Sequence, residues 1–164
     1  MDSFHERLAR TGLAAAERYG FGLAGGYAVQ AAGLVERPSE DIDLFTGVDW
    51  RANEPILMAI RPVLHPDDAV ANKMSALYGR AFARDFIDID ATLRSDRYTR
   101  HTLLVLAQRA DRGFDPRIFA DALRQATQLD PEDFAQYGVT GPALDKLRSR
   151  FAEWRRELLD DEER

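Results

Sequence analysis

Residues 40–45 read "EDIDLF", with carboxylates at Asp41 and Asp43 separated by one apolar position. On a strand, successive side chains point to opposite faces, so Asp41 and Asp43 share one face while Ile42 and Leu44 share the other. Two carboxylates held side by side repel each other, and a hard divalent cation relieves the repulsion by taking oxygen ligands from both. A solvated edge with both acids facing water is the alternative, and the pair alone does not decide between them. A second constellation lies upstream in "LAGGYA", where Gly25 and Gly26 stand between a strand-like run and a helix-like run. A glycine pair there lets backbone approach a ligand closely, and the exposed N–H groups of a helix start favour phosphate, although a plain tight turn also accounts for it. Taken together, a phosphate cradle and a metal-holding carboxylate pair on neighbouring strands are what metal-assisted nucleotidyl transfer requires.

The elements that must position these residues follow from the apolar pattern. "SFHERLARTGLAAAERYG" reads as a helix with a cap at Ser3, apolar positions at Phe4, Leu8 and Ala15, and a stop at Gly20. "FGLAGG" reads as a short strand, "YAVQAAGL" as a helix ending near Gly33, and "EDIDLFT" as a strand after the polar turn "VERPSE". After the loop "GVDWRANEP", the run "ILMAIRPVL" is apolar enough for a buried strand up to Pro62. From His65 onward the pattern is helical, with Pro66 and two aspartates in the first turn of "HPDDAVANKMSALYGR". Thr99, Asp115 and Asp130 are positioned to cap later helices. Leu144, Leu147, Phe151, Trp154 and Leu158 form one apolar stripe on the last helix. The expected fold class is α+β, a small mixed sheet in residues 1–64 followed by a mostly helical region in residues 65–164, packed as one compact unit.

Composition narrows the function classes. The chain has 164 residues, 45 % hydrophobic and 30 % charged, ordinary for a soluble globular protein rather than a disordered one. Cysteine is absent from the sequence, which excludes disulfides and thiolate metal sites and is compatible with the cytoplasm. "MDSFHERLAR" is charged and no long apolar segment follows it, so the expectation is a soluble intracellular protein with no membrane partner. The formal net charge of −6 would not draw the protein to nucleic acid in bulk, so any such contact must be local. The arginines of "KLRSRFAEWRR" alternate with glutamates and read as a solvated helix face. His5, His65 and His101 lie far apart in no ligand spacing, and neither a P-loop nor a serine or cysteine nucleophile motif occurs.

Two stretches carry a resemblance. "GLAGGYAVQAAGLVERPSEDIDLF" resembles the first motif of the AbiEii/AbiGii nucleotidyltransferase toxin family, a bacterial branch of the polymerase-beta-like nucleotidyltransferases: a Gly-Gly pair, a helix, an arginine, a small hydroxyl residue and D-I-D-L. The matching positions are Gly25, Gly26, Arg37, Ser39, Asp41 and Asp43. "DDAVANKMSALYGRAFARDFIDID" is similar to the family's helical motif of a lysine, arginines and R-D-x-x-D, which falls here on Lys73, Arg80, Arg84, Asp85 and Asp88. The resemblance implies a nucleotidyltransferase-like core and transfer of a nucleotidyl group from an NTP to an RNA such as tRNA, or to a protein. It also implies an antitoxin partner. Asp41 and Asp43 then hold Mg2+, Lys73 compensates phosphate charge, and Gly25, Gly26, Arg37, Ser39, Arg84, Asp85 and Asp88 surround the nucleotide. A nucleotide- or partner-binding module that has lost catalysis is the alternative. The middle of the chain is shorter than in the family, and Asp49, in "TGVDW", is the nearest candidate for the third carboxylate that the superfamily usually presents.

Two helical positions can be read without the family. Lys73 shares a stripe with Val70, Met74 and Leu77, so it must snorkel, pair with Asp85 or Asp88, or meet a ligand phosphate. In "DFIDID", Asp88 and Asp90 echo the first D-x-D, but Phe82, Phe86, Ile89 and Leu93 make a coherent helical stripe with the aspartates at its border and flanks. The helical reading disfavours a second metal pair there.

Overall fold

The structure is a computed structural model that describes residues 3–15, 21–35, 42–45 and 63–160. The chain divides into two compact units, Met1–Val70 and Ala71–Arg164.

In the first unit, α1 (Ser3–Ala15), β1 (Gly22–Leu23), α2 (Gly25–Ala31) and β2 (Leu44–Phe45) are followed by the start of α3 (Pro66–Gly79). β1 and β2 pair antiparallel, Gly22 with Phe45 and Leu23 with Leu44. Leu23 also makes an isolated parallel bridge to Val63, where Leu64 N donates to Leu23 O at 3.0 Å. The strand stops at Leu23 because Gly25, at φ +59°, turns the chain directly into α2. Gly33, at φ +70°, closes α2, and Leu34 N reaches back to Val29 O at 3.1 Å, a glycine-terminated helix end.

Ser3 is the first residue of α1 rather than its cap, and the helix presents a different face from the one its large apolar residues suggest. Ala9 and Leu13 are buried, whereas Phe4 and Leu8 are 60 % and 50 % exposed. At Gly12 α1 approaches β2 so tightly that a Cβ would lie 2.9 Å from Leu44 Cδ1, so no side chain fits at that position.

The second unit continues α3 and adds α4 (Ala83–Arg94), α5 (Arg100–Ala110), α6 (Pro116–Arg124), a 3-10 turn (Gln125–Thr127), α7 (Pro131–Ala135) and α8 (Gly141–Asp160). The three expected caps are in place. Thr99 Oγ1 accepts from Thr102 N at 3.1 Å, Asp115 Oδ1 from Arg117 N at 2.8 Å, and Asp130 Oδ1 from Glu132 N at 3.2 Å. His65 adds a cap that the sequence did not announce, its Nδ1 accepting from Asp67 N at 3.2 Å in the first turn of α3. The stripe on α8 is buried throughout. Its rings build an aromatic chain, with Phe151 edge-on to Phe86 at 5.0 Å, Trp154 edge-on to Phe119 at 5.2 Å, and Phe119 beside Phe114 at 5.3 Å. Arg100 ties α5 to α8 through Glu157 and through Glu153 at 3.0 Å. Burial works against its charge, but the two glutamates outweigh burial and raise its pKa above the ordinary guanidinium value.

The α+β expectation is overturned. The described chain is mostly helical, its strands are two residues long, and a small mixed sheet forming a nucleotidyltransferase-like core is not seen among the described residues. After Leu23 the glycine turn and α2 claim the backbone groups that would have extended the β1 ladder. The run "ILMAIRPVL" lies outside the described residues up to Pro62, as do the "VERPSE" turn after Val35, the "GVDWRANEP" loop and the expected stop of the first helix at Gly20. No helix among the described residues is long and apolar enough to cross a membrane.

Trp154 is fully buried between Phe119 and Phe151, so Trp154→Ala should destabilise the second unit by about 3–5 kcal/mol in urea unfolding. Ile118→Ala, at a position 55 % exposed, should stay within about 0.5 kcal/mol of the parent protein.

Candidate metal and nucleotide site

Of the residues singled out in the sequence, the first unit brings Gly25 and Asp43 together. Antiparallel pairing of Leu23 with Leu44 sets the end of β1 beside the start of β2, and Ala24 N donates to Asp43 O at 2.8 Å. The chain then turns at Gly25 so closely under Asp43 that a Cβ built on Gly25 would lie 1.7 Å from Asp43 Oδ2. Asp43 is exposed, which leaves its carboxylate accessible to solvent and ions. The volume over Gly25 that the sequence reserves for a phosphate is therefore taken by a carboxylate. Gly26 follows as the second residue of α2, a helix of seven residues. Arg37, Ser39, Asp41 and Asp49 lie outside the described residues.

A hard oxygen donor, exposed and held against a backbone with no side chain in the way, fits the requirements of a magnesium ligand. Asp43 is the described half of the D-x-D pair. Among the described residues no group of three or more His, Cys, Asp or Glu side chains is gathered as a metal site.

The residues of the second motif belong to the second unit and are engaged in ion pairs. Val70, Met74 and Leu77 are fully buried as their stripe predicts, and Lys73 on the same helix is only 7 % exposed. Its Nζ lies 2.8 Å from Asp88 Oδ2, so of the alternatives open in the sequence the pairing with Asp88 is the one realised. Asp85 is fully buried and accepts two hydrogen bonds from Arg80, both at 2.9 Å, and a third from Phe82 N at 3.2 Å. Asp90, also buried, takes Arg150 Nε at 2.6 Å and Nη2 at 2.8 Å, with Arg94 Nε at 3.0 Å. Arg84 is half-buried in the first turn of α4.

α4 is a helix, as the stripe through Phe86 and Ile89 requires, but two details differ from the sequence reading. The three aspartates are buried rather than spread on the flanks, because each finds a cation on a neighbouring element or turn. Phe82, expected inside, is 52 % exposed: it precedes the first turn of α4, and Arg80 lies over its ring at 5.3 Å. The arginines of "KLRSRFAEWRR" are also committed inward in part. Arg148 donates to Ala126 O at 3.0 Å and Leu129 O at 2.8 Å, and Arg150 serves Asp90.

Sequence reasoning did not find that Asp43 fills the space over Gly25, nor that Arg150 answers Asp90. The first has a signal in retrospect, a glycine two positions past the end of one strand, with the aspartate one position before the strand that pairs with it. The second joins positions 60 apart and leaves none.

Compared with protein-family models, curated proteins and solved structures, the chain has no match.

Removing one member of a buried ion pair leaves the other charge without compensation. Lys73→Ala should therefore cost about 3–5 kcal/mol in denaturant unfolding, while Lys73→Met combined with Asp88→Leu should recover most of that loss. Equal losses in the single and double variants would show that packing, not charge, holds this position.

Proposed function

We propose that this chain is a magnesium-dependent nucleotidyltransferase that moves a nucleoside monophosphate from an NTP to an RNA such as tRNA, or to a protein. In this reading it is a cytoplasmic toxin paired with an antitoxin protein, in a toxin–antitoxin or abortive-infection system. The observation that carries the proposal is the exposed Asp43 carboxylate held directly over Gly25, where β1 gives way to α2. Asp43 supplies oxygen ligands from the residue just before β2, and Asp41, two positions earlier, is the second ligand the D-x-D spacing offers. Bound there, magnesium would orient the triphosphate, neutralise charge developing on it and activate the attacking hydroxyl. Gly25 gives its open space to the Asp43 carboxylate, and Gly26 brings no side chain into the nucleotide's approach. Arg37, Ser39 and Arg84 are the polar groups that the motif resemblance assigns to the nucleotide.

Lys73 gives this reading less support than the sequence promised. Its charge is balanced by Asp88 at 2.8 Å, so it reaches a phosphate only by giving up that partner. The same observation favours a second reading, a nucleotide- or partner-binding module without turnover, in which Lys73, Arg80, Asp85 and Asp88 are scaffold.

The test uses the full chain, magnesium, each labelled NTP, and total cellular RNA and protein as acceptors. Asp43→Asn keeps the side chain's shape and removes its charge, so transfer should fall by on the order of a hundredfold or more, with unfolding free energy unchanged within about 0.5 kcal/mol. Transfer by Asp43→Asn at the parent rate would rule out the metal role given to Asp43. Magnesium-dependent NTP binding without transfer would select the second reading.

A further inference from the structure

We infer that Gly25 is a positioning residue for Asp43, leaving open the space in which the carboxylate stands so that it can meet a cation from there. The inference rests on the metal role proposed for Asp43. An exposed aspartate ordinarily samples several staggered side-chain states, and a ligand that must first be collected into one of them binds its ion more weakly. Here the backbone of Asp43 is held by its pairing beside β1, with its carbonyl accepting from Ala24 N at 2.8 Å. The side chain then runs across the bare Cα of Gly25.

The contact involves the whole side chain rather than its tip. A Cβ on residue 25 would lie 1.7 Å from Oδ2, 2.6 Å from Cγ and 2.9 Å from Cβ of Asp43. Swinging the carboxyl group aside clears the first two clashes and leaves the third, because the Asp43 Cβ is fixed by its backbone. Any side chain at position 25 must therefore push the two backbones apart or drive Asp43 into another state.

Gly25 also has φ +59°, which by itself favours glycine, so the conformational and the space-making roles must be separated. The chain contains its own control. Gly33 has φ +70° at the other end of α2, and a Cβ there meets nothing within 4 Å. Gly33→Ala imposes the backbone strain alone; Gly25→Ala imposes strain and displaces the carboxylate.

The experiment is titration of the full chain with Mn2+ alone, followed by electron paramagnetic resonance, for the parent protein, Asp43→Asn, Gly25→Ala and Gly33→Ala. Changes to groups that orient metal ligands weaken affinity by roughly 10–100-fold, so Gly25→Ala should lose at least about tenfold and Gly33→Ala should stay within about twofold. Parent-like affinity in Gly25→Ala, with Asp43→Asn defective, overturns the positioning role and leaves the metal role of Asp43 standing. Parent-like affinity in Asp43→Asn, or no binding by the parent, overturns both. Should Gly25→Ala fail to fold, the parent protein answers directly: the inference requires a nuclear Overhauser effect between Gly25 Hα and Asp43 Hβ, and its absence overturns the inference.

Discussion

A carboxylate taken out of water must be met by a cation or by donors, and α4 carries three such carboxylates in less than two turns. Asp85, Asp88 and Asp90 are each answered from a different place: the turn after α3 through Arg80, α3 itself through Lys73, and α8 through Arg150 with Arg94. Helix α4 therefore cannot slide or rotate against its neighbours without stranding a charge. The aromatic contacts around Phe86, Phe151 and Trp154 supply the gain from burial, but rings tolerate small shifts in register that a bidentate arginine does not. Apolar packing holds this unit together, and the charge pairs specify its arrangement.

The smaller unit solves a different problem with small residues. Gly12 lets α1 close on β2, and Gly25 lets the chain pass beneath Asp43. Both glycines matter for the space they leave. Where α4 buries Asp85, Asp88 and Asp90 against cations, the smaller unit leaves the Asp43 carboxylate exposed, and that contrast is why Asp43 rather than Asp85 or Asp88 is the group to which chemistry is assigned.

Local features were legible in the sequence and distant ones were not. Thr99, Asp115 and Asp130 cap their helices because a cap involves residues only two or three positions apart. The α8 stripe and the helical reading of "DFIDID" likewise depend only on periodicity. The expected sheet failed because a strand exists only through partners elsewhere in the chain, and short apolar runs such as "FGL" and "DLF" do not say how far pairing will extend. The apolar positions of α1 do not by themselves give its inward face: Ala9 and Leu13 are buried while Phe4 and Leu8 are exposed, and the close approach at Gly12 depends on a strand elsewhere in the chain. In the candidate site, the glycine turn and the carboxylate could each be picked out in the sequence, but not their contact, which depends on how β1 and β2 pair.

Arg148, donating to Ala126 O and Leu129 O while lying over the Phe134 ring at 5.7 Å, ties the turn after α6 and the start of α7 to the last described helix. On the ribosome this imposes an order of events. Until residues 141–160 have left the exit tunnel, those two carbonyls lack their guanidinium, Asp90 has only Arg94, and Phe86 and Phe119 present bare edges. The second unit therefore cannot complete these contacts until α8 has been synthesised and is clear of the tunnel, so its folding waits on its last described element.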